Sequence, residues 1–476
     1  MKKLTKIVAT IGPASDSPEM IENLIQAGVN IFRFNFKHNT VEWHNDRIIR
    51  VNEVAARLGR SVGTLIDLQG PEIRINMPVE SIEVSEGELL VFGPESHMKQ
   101  EKGFSISHPE IIQHLADGQQ ILADDGAFSF EFVKKEDKTY LRSLSHGVLK
   151  HRKSLNIPGA DFPFPVLVER DFDGLKLAAK NEVDFVALSF VRSVEDLLVT
   201  RREMKKHGVN GKMVAKIETQ KALENLDGII AETDAIMVAR GDLGVELPIE
   251  QVPYYQKVII EKSVRKGIPV ITATQMLQSM IDNPFPTRAE VSDIANATYD
   301  LTDAVMLSGE TATGTYPLKT VELMSKTAQY NEHKFMRDHR LLYHYEMTDQ
   351  TAMLTDAAYN LFLQLAQLQD HIKGFVVFSQ TGKTVRMLSR YRPNTPIYAV
   401  TPSKEVSDSL TINFGVVPVV YDKPEHAQIV PEDIATALHH LVQEEYLKAG
   451  EKVIVLHGDV WGVQGGASTL QIATVA

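Results

Sequence analysis

Charged and polar side chains recur where short apolar segments of the chain end, and their types suit the binding of anions. In the segment RFNFKH (33–38) and the preceding Phe32, three phenylalanines alternate with Arg33, Asn35 and Lys37. Successive residues of a strand face opposite sides, so the alternation places these three polar side chains on one face. In an isolated hairpin, such a polar face would simply be exposed to water. In a sheet covered on both sides, two cations and an amide need an anionic partner, which predicts an anion site.

Acidic side chains follow two other apolar segments. The stretch KMVAKIET places Lys216 and Glu218 two residues apart, and the stretch AIMVARGDLGVE carries Asp242 directly after its apolar part. Carboxylate oxygens suit Mg²⁺, which takes water or substrate at its remaining positions. Glu218 and Asp242 therefore predict a magnesium site. The alternative is that these acids only form ion pairs with Lys216 or Arg240.

Two further residues complete the set of candidate groups. Asp67 closes the apolar part of LIDLQGPEIR, and Thr274 lies where ITATQMLQSMI opens into a loop. An arginine for a phosphate, two acids for Mg²⁺, a lysine and a hydroxyl fit phosphoryl transfer, whose catalysis is mostly positioning and charge neutralisation. The residues thus predict a Mg²⁺-dependent enzyme acting on a small phosphorylated or carboxylated molecule.

These side chains need elements that bring the segment ends to one place. Short β-branched and aliphatic segments alternate with helix-like patterns, for example over Pro18–Ala27, Gln220–Ile230 and Arg288–Tyr299, which is typical of βα units. Eight such units predict an α/β fold of the (β/α)₈ TIM barrel type, with its active site at the carboxyl ends of the strands. The strands are predicted at about 5–11, 30–36, 62–67, 184–190, 212–217, 235–239, 268–273 and 303–308.

The remaining segments predict two further domains. Hairpin-like patterns such as SIEVSEGELLVFG and KTYLRSLSHGVL predict a small inserted β-barrel lid over residues 71–164, within a barrel formed by 1–70 and 165–342. A helical stretch from Leu318 to about Leu342 ends the barrel. Strands at 375–379, 396–401, 415–421 and 452–457 predict a C-terminal open α/β domain over 349–476.

Composition excludes several classes of protein. The chain has 476 residues, no cysteine, 62 acidic and 50 basic residues, and a net charge of -12. It cannot use disulfides or cysteine-held zinc, and its acidity argues against a general nucleic-acid binder. The apolar stretch Ile7–Ile11 is too short for a signal peptide, and no run of about 18 apolar residues occurs. We therefore expect a cytoplasmic protein without a membrane partner.

The order of its motifs makes the chain similar to pyruvate kinase, over nearly the whole length. The matching segments are TKIVATIGPAS (5–15), RFNFKH (33–38), GPEIR (70–74), ADDG (123–126), NIPG (156–159), ALSFVR (187–192), KIET (216–219), MVARGDLGVE (237–246), TATQMLQSMI (272–281), PTRAEVSDIANA (286–297), MLSGETATG (306–314) and SRYRP (389–393). The resemblance implies the last step of glycolysis, in which phosphoenolpyruvate and ADP give pyruvate and ATP.

The resemblance also implies roles for the candidate residues around the reacting phosphate. Arg33 would hold the phosphate of phosphoenolpyruvate, and Lys216 would stabilise the phosphoryl group in transfer. Glu218 and Asp242 would bind Mg²⁺, which in turn would hold the substrate. The resemblance implies that Arg33, Lys216 and Thr274 are the catalytic residues.

Further matches concern the substrate carboxylate and the nucleotide. Backbone amides around Gly241, with Thr274, would receive the carboxylate, and Thr274 would relay a proton to the enolate carbon. His38, Arg74 and Lys153 match the nucleotide side of the family, where a second Mg²⁺ accompanies ADP or ATP.

The monovalent-cation site departs from the family pattern. Asn35 and Asp67 are kept, whereas Lys37 replaces a serine and Leu68 a threonine. We hypothesise that the Lys37 ammonium takes the place of K⁺, held by Asp67 and by Glu72. A glutamate at the position of Glu72 usually accompanies K⁺ dependence in the family, so the need for K⁺ stays open.

The C-terminal domain carries a candidate effector loop, SQTGKT. Small hydroxyl residues with a glycine and a lysine after a strand can form an amide nest for phosphate. The loop resembles the family's site for a phosphorylated sugar or nucleotide effector, and VWGVQGGAST (460–469) resembles the segment that closes over it; the alternative is a structural loop. The loop residues are Ser379, Gln380, Thr381, Gly382, Lys383 and Thr384.

Two other readings of the whole chain stay open. One is another Mg²⁺-dependent barrel enzyme that acts on phosphoenolpyruvate or pyruvate, such as an aldolase or lyase, and the other is a non-catalytic, effector-binding relative. The family also implies a homotetramer.

Overall fold

The computed structural model describes residues 3–94, 101–135, 138–160, 162–334, 345–421, 427–461 and 466–476. The strands are β1 Lys6–Thr10, β2 Ile31–Asn35, β3 Gly63–Asp67, β4 Ile75–Asn76, β5 Ser81–Val84, β6 Leu89–Phe92, β7 Gly103–Ile106, β8 Gln120–Ala123, β9 Phe128–Lys135, β10 Lys138–Ser143, β11 Gly147–Lys150, β12 Leu155–Asn156, β13 Phe185–Leu188, β14 Lys212–Ile217, β15 Ala235–Ala239, β16 Val270–Ala273, β17 Ala304–Leu307, β18 Ile372–Phe378, β19 Ile397–Thr401, β20 Val416–Val420, β21 Lys452–Gly458 and β22 Ala467–Thr474.

The helices connect these strands and cover the sheets. They are α1 Pro18–Ala27, α2 Val41–Arg57, α3 Glu169–Lys180, α4 Val194–His207, α5 Gln220–Glu224, α6 Leu226–Glu232, α7 Arg240–Glu246, α8 Val252–Lys266, α9 Arg288–Tyr299, α10 Gly309–Ala312, α11 Pro317–Lys334, α12 Gln350–Gln367, α13 Lys383–Ser389, α14 Lys404–Ser409 and α15 Pro431–Gln443. Short 3₁₀ helices span Pro109–His114, Ile249–Gln251 and Gln278–Ile281.

Eight parallel strands close into the predicted barrel, in the order β1-β17-β16-β15-β14-β13-β3-β2. The predicted helices Pro18–Ala27 and Arg288–Tyr299 have their predicted bounds. The single helix predicted over Gln220–Ile230 is wrong, because Asn225 divides it into α5 and α6. The Asn225 side-chain amide donates to the Arg192 carbonyl at 2.8 Å, so it anchors the chain to the neighbouring loop at the break.

The barrel interior changes from apolar to polar along its axis. Its lower part is filled by a closely packed apolar cluster, to which the C-terminal domain contributes Ile412. Phe32, Phe34 and Phe36 are fully buried, and the latter two pack in the outer layer beneath the helices, as the strand alternation predicts. The side chains that alternate with them therefore point into the upper barrel, where the polar residues meet.

The inserted domain is a β structure, although two of its predicted hairpins are wrong. Strands β5 and β6 do not pair with each other; β5 pairs with β11, whereas β6 pairs with β10 and β7. Strands β8, β9 and β10 do form an antiparallel meander. The ends of the resulting sheet, β12-β8-β9-β10-β6-β7-β4, are joined by a bridge between Arg74 and Ser154, which gives it a barrel-like form.

The C-terminal domain is an open α/β sheet in the order β20-β19-β18-β21-β22. Its four predicted strands are present, and β22 is an additional antiparallel edge strand. The polar, half-exposed sequence of β22 lacks the apolar run that identified the others. The predicted helix end at 335–342 and residues 462–465 of the candidate closing segment lie outside the described residues.

Among the residues described, none of the helices combines the length and the apolar character that crossing a bilayer requires.

Where the lower barrel meets the C-terminal domain, the half-buried Asp184 leads to a pH-dependent prediction. The Asp184 carboxylate accepts hydrogen bonds from Thr64 N and Oγ1 at 2.7 and 2.9 Å, and burial together with Asp408 raises the pKa of Asp184 from 3.8 to about 7. The native state then binds more protons than the unfolded chain between these pH values, so the free energy of unfolding falls as pH rises through that window.

We expect Asp184→Asn to remove this loss, because the neutral amide oxygen still accepts from Thr64. Relative to the parent protein, the variant should gain up to about 4 kcal/mol between pH 4 and pH 8. Thermal unfolding followed by calorimetry at both pH values measures the difference. The exposed Asp227→Asn is the control, and an Asp184→Asn curve parallel to that of the parent protein would contradict the prediction.

Candidate active site

A cavity of about 670 Å³ lies where the carboxyl ends of the barrel strands face the inserted domain. Its walls come from both domains, since Gly241 belongs to helix α7 of the barrel domain while Asp124 and Lys153 belong to the insertion. The predicted site residues on its wall are Lys37, His38, Arg74, Lys153, Gly241, Asp242 and Thr274. Sequence-predicted residues of distant segments therefore share one cavity.

Arg33 and Lys216 are joined by one buried carboxylate, that of Asp67, and these three residues do not line the cavity. Arg33 Nε and Nη2 each lie 2.7 Å from Asp67 Oδ2, and Arg33 Nη1 donates to Thr10 Oγ1 at 2.9 Å. Lys216 Nζ lies 3.2 Å from Asp67 Oδ1 and donates to Ser189 Oγ at 2.8 Å. The two cations are thereby held side by side.

The charges of this group stabilise one another. Burial alone would raise the pKa of Asp67, but Lys216, Arg33 and Lys37 lower it to about 2. Burial would likewise lower the pKa of Lys216, yet Asp67, Glu218 and Asp242 raise it above its usual value. Asp67 is therefore a permanent anion and Lys216 a permanent cation near neutral pH.

The two predicted metal ligands lie at the ends of the adjacent strands β14 and β15. Glu218 Oε2 accepts from Phe190 N at 2.7 Å, and Glu218 Oε1 lies 2.7 Å from Lys216 Nζ. Burial and the nearby Asp242 raise the pKa of Glu218. A carboxyl group whose charge is disfavoured by a neighbouring acid fits a divalent cation, whose positive charge would offset that repulsion.

The ion-pair alternative accounts for Glu218 only in part. Glu218 does pair with Lys216, but Arg240 is directed elsewhere. Arg240 Nη1 donates to Asp293 at 2.7 Å and Nη2 to the Thr274 carbonyl at 2.7 Å. Within the described ranges, no group of three or more His, Asp or Glu residues is arranged to hold a metal. Mg²⁺ would thus rest on two carboxylates and take its other ligands from substrate and water.

Thr274 also lines the cavity, and its backbone conformation is strained. Its φ of 64° is in the left-handed region, which non-glycine residues rarely adopt, and Gln275 follows at 54°. Thr274 Oγ1 donates to the Ala273 carbonyl at 2.7 Å and accepts from Gly241 N at 2.8 Å. The turn thereby places a hydroxyl beside the first residues of α7. The Gly241 amide predicted for a substrate carboxylate is engaged by Thr274 in this structure.

Of the two ion-pair partners predicted for Lys37, the structure shows only Glu72. The Lys37 ammonium forms an ion pair with Glu72 and lies 5.4 Å from the Phe190 ring centroid, whereas Asp67 forms its direct ion pairs with Arg33 and Lys216. Lys37 still lowers the pKa of Asp67 through its charge. The Lys37 ammonium therefore acts on Asp67 through its charge, without a direct ion pair.

The other members of the cation site divide between the two faces of the barrel wall. Asn35 Oδ1 accepts from Lys37 N at 3.3 Å, and strand alternation places Asn35 on the face of β2 opposite to Phe34 and Phe36. The Leu68 side chain is fully buried in the outer core, close to Phe36 and to Gly174 of α3. Leu68 thus leaves only its carbonyl near the site, where it accepts from Ser189 Oγ at 2.8 Å.

The nucleotide-side candidates are all on the cavity wall and are balanced by acids. Arg74 forms an ion pair with Glu72, and Lys153 Nζ lies 2.6 Å from Asp124 Oδ1. Half-burial and the neighbouring cations lower the pKa of His38, so its ring is neutral at pH 7. An incoming polyphosphate would compete with these acids for Arg74 and Lys153.

Sequence reasoning missed some residues of the site. Ser189 is fully buried and accepts from Lys216; the alternation of the predicted strand 184–190 could have placed it inside the barrel. Glu246 lies on the cavity wall, where burial raises its pKa to about 7 although it accepts from the backbone of Gly159 and Gln220. No local signal identifies Glu246, because its partners lie far away in the sequence.

The candidate effector loop leads from β18 into α13. Gly382 adopts a left-handed φ of 76°, and a Cβ there would lie 2.8 Å from Leu410 Cδ2. Lys383 Nζ pairs with Asp349 at 2.6 Å, across from α12. The adjoining cavity is about 30 Å³, which is room for one water molecule. The loop as it stands would have to open to receive a sugar phosphate.

Comparison with known proteins identifies the family to which the chain is similar. The sequence model of the family described as "Pyruvate kinase, barrel domain" matches residues 2–321, and that described as "Pyruvate kinase, alpha/beta domain" matches residues 356–473. The pyruvate kinase of Geobacillus stearothermophilus is 39% identical over 482 residues, which cover 100% of this chain and 81% of the relative. That of Staphylococcus aureus strain MRSA252 is 40% identical, covering 99% of this chain and 80% of the relative.

A solved structure shows the same architecture. The crystal structure of a pyruvate kinase from Cryptosporidium parvum superposes with a TM-score of 0.90 at 32% identity, covering 100% of this chain and 96% of that one.

Proposed function

The chain belongs to the pyruvate kinase family, and we propose that the cavity between barrel and lid is where it transfers the phosphoryl group of phosphoenolpyruvate to ADP. The observation that carries this assignment of the site is the buried row Arg33, Asp67 and Lys216. One carboxylate with a pKa of about 2 holds two cations side by side. Such a fixed pair of cations suits a phosphoryl group that moves between two anionic oxygens.

The chain's own residues bind and orient the reactants. Arg33 would hold the phosphate of phosphoenolpyruvate, since Asp67 and Thr10 fix the plane of its guanidinium. Lys216 would neutralise the charge of the phosphoryl group during transfer, because its proton is retained across neutral pH. Positioning of both cations before substrate arrives lowers the cost of reorganisation in the transition state.

Mg²⁺ fits Glu218 and Asp242, and when bound it would supply positive charge at the substrate's carboxylate and enolate oxygens. Thr274 Oγ1 lies beside Gly241 on the same wall and would hold the proton that the enolate carbon receives through water. That proton completes the balance, in which phosphoenolpyruvate, ADP and a proton give pyruvate and ATP. His38, Arg74 and Lys153 would bind the nucleotide phosphates with their own Mg²⁺.

A coupled assay tests the function directly. With phosphoenolpyruvate, ADP and Mg²⁺ the protein should produce pyruvate and ATP in equal amounts, and chelation of Mg²⁺ should abolish both. An aldolase or lyase acting on the same substrates would form no ATP from ADP, and a non-catalytic relative would form neither product. Either of these results would overturn the proposal.

Lys37 is proposed to make the enzyme independent of K⁺. Its ammonium is paired with Glu72 and lies close enough to the catalytic group to lower the pKa of Asp67. A tethered cation at this place supplies the charge that a bound monovalent ion would otherwise bring, while Leu68 contributes no side-chain oxygen. The ion-pair partner proposed now is Glu72, with Asp67 acting at longer range.

We expect turnover in tetramethylammonium buffer to rise less than about twofold on addition of KCl. Lys37→Ser should then be strongly activated by KCl, because removing the ammonium leaves Glu72 and Asp67 to attract a free cation. Initial rates over a KCl titration measure both effects. Lys102→Ser, an exposed lysine of the lid, is the matched control. Many-fold activation of the parent protein by KCl would refute the role of Lys37.

Finer properties follow from family membership as proposals. We propose a cytoplasmic homotetramer, which sedimentation velocity tests. An effector is proposed for the loop 379–384, with a phosphorylated sugar or a nucleotide such as AMP as its class. Rates at low phosphoenolpyruvate with a panel of sugar phosphates and AMP test it, and unchanged rates with every compound would leave the loop a structural one.

A further inference from the structure

Both ends of the lid's connection to the barrel meet at one buried carboxylate. The chain leaves the barrel through Gln69 and Gly70, whose amides donate to Asp171 Oδ1 at 2.8 Å and Oδ2 at 3.2 Å. It returns through Val168, whose amide donates to Asp171 Oδ2 at 2.9 Å. Asp171 lies in the first turn of α3 and is fully buried. Nearly one hundred residues of lid are thus tied together at a single side chain.

The segment that leaves the barrel, residues 68–70, is also held from its other side. Gly70 has a left-handed φ of 68°, and a Cβ there would lie 3.0 Å from Ser189 Cβ. Ser189 in turn donates to the Leu68 carbonyl and accepts from Lys216. Residues 68–70 are therefore wedged between Asp171 and a residue that contacts the catalytic lysine.

The segment that returns to the barrel, residues 162–168, is held by a second residue. Arg192 donates to the carbonyls of Phe162 and Phe164 at 2.8 and 2.9 Å and is itself held by Asp196 at 3.0 Å. Arg192, however, contacts only the returning segment. Of the contacts found among the described residues, those of Asp171 join both segments of the hinge.

The setting of Asp171 explains why a carboxylate serves here. Three backbone N–H groups converge on two oxygens, which a carboxylate accepts without offering a donor of its own. The amino end of α3 adds favourable positive potential. An asparagine would direct its NH₂ group at one of the three amides and leave that donor without an acceptor, and an alanine would leave all three.

We propose that Asp171 is a positioning residue that anchors both chain segments of the lid hinge and so sets how the lid closes over the reactants. The proposal rests on the function above for its kinetic part, because only a nucleotide held between lid and barrel makes lid position matter for turnover. Asp171 touches no reacting atom. It acts through Gln69 and Gly70, which lie two and three residues after Asp67, the last residue of β3.

Lid position can be measured without any catalysis. The chain has no cysteine, so Val148→Cys on the lid and Ile49→Cys on the barrel provide two exposed labelling sites. The distance distribution between spin labels at these sites should broaden in Asp171→Asn and broaden further in Asp171→Ala. Asp173→Asn, an exposed residue of the same helix, should leave it unchanged. This measurement stands whether or not the proposed function is correct.

Kinetics of the unlabelled variants provide the second readout. We expect kcat/KM for ADP to fall about 10- to 100-fold in Asp171→Ala and less in Asp171→Asn, because small displacements of a closing element are costly. KM for phosphoenolpyruvate, which the barrel itself holds, should change less. Hydrogen exchange should show faster exchange at Gln69, Gly70 and Val168.

Two outcomes would overturn the proposal. One is an unchanged distance distribution in both Asp171 variants. The other is an equal loss in kcat/KM for both substrates that follows a lower melting temperature, since this would show a role in stability alone. A broadened distribution in a protein without pyruvate kinase activity would support the hinge anchor and refute the proposed function.

Discussion

Replacing Lys216 by methionine is expected to lower kcat about 10³-fold, the largest effect of any single change to this site. The ammonium is buried between Asp67 and Glu218 and keeps its proton across neutral pH. Methionine has a similar length but no charge, so the phosphoryl group would cross the cavity without its fixed cation. Steady-state rates in the coupled assay measure kcat and both KM values.

Binding of phosphoenolpyruvate should survive this change better than turnover. Arg33 keeps its bonds to Asp67 and Thr10, so we expect KM to change less than about tenfold. Lys212→Met, at the opposite end of β14, is the control for the loss of a lysine from the same strand. Circular dichroism verifies that both variants fold. A Lys216→Met enzyme with a kcat within tenfold of the parent value would show that the catalytic assignment is wrong.

Asp242→Asn is expected to raise the Mg²⁺ concentration for half-maximal activity about 100-fold or more. The change removes one of two carboxylates that fit the metal and one negative charge that balances it. Asp242 forms none of the ion pairs found among the described residues, so the substitution breaks no structural salt bridge. It also removes one cause of the raised pKa of Glu218, and the remaining carboxylate stays ionised more readily.

A binding measurement separates metal affinity from turnover in this variant. Electron paramagnetic resonance of free Mn²⁺ should show weaker binding to Asp242→Asn than to the parent protein when no substrate is present. Asp282→Asn, an exposed acid of the following βα loop, changes the net charge equally and should bind Mn²⁺ normally. Unchanged Mn²⁺ binding and unchanged Mg²⁺ activation would exclude Asp242 as a ligand.

The lid and the cation site show where local patterns stop being informative. The segments SIEV and LLVF were both correctly identified as strands, yet they pair with distant partners rather than with each other. The sequence predicts Asp67 and Glu72 as partners of the Lys37 ammonium, and its direct ion pair is with Glu72 alone. In both cases the residue types were legible and the pairing was not fully so.

The sequence by itself determined the eight-stranded barrel, its covering helices and the chemical character of the strand ends. These follow from alternation and helical periodicity, which are local properties of the backbone. Arg33, Lys216 and Glu218 point to phosphate and metal because side-chain direction along a strand needs no tertiary information.

Tertiary structure alone decided which groups meet. Asp67 joins Arg33 to Lys216, which lie on strands far apart in the chain. Asp171 joins the two hinge segments, which the whole lid separates in the chain. A carboxylate's partner and its pKa depend on burial and on charges brought near by folding, which periodicity does not encode. The residue types therefore determine which chemistry the site can perform, and the folded barrel determines the distances and contacts between those residues.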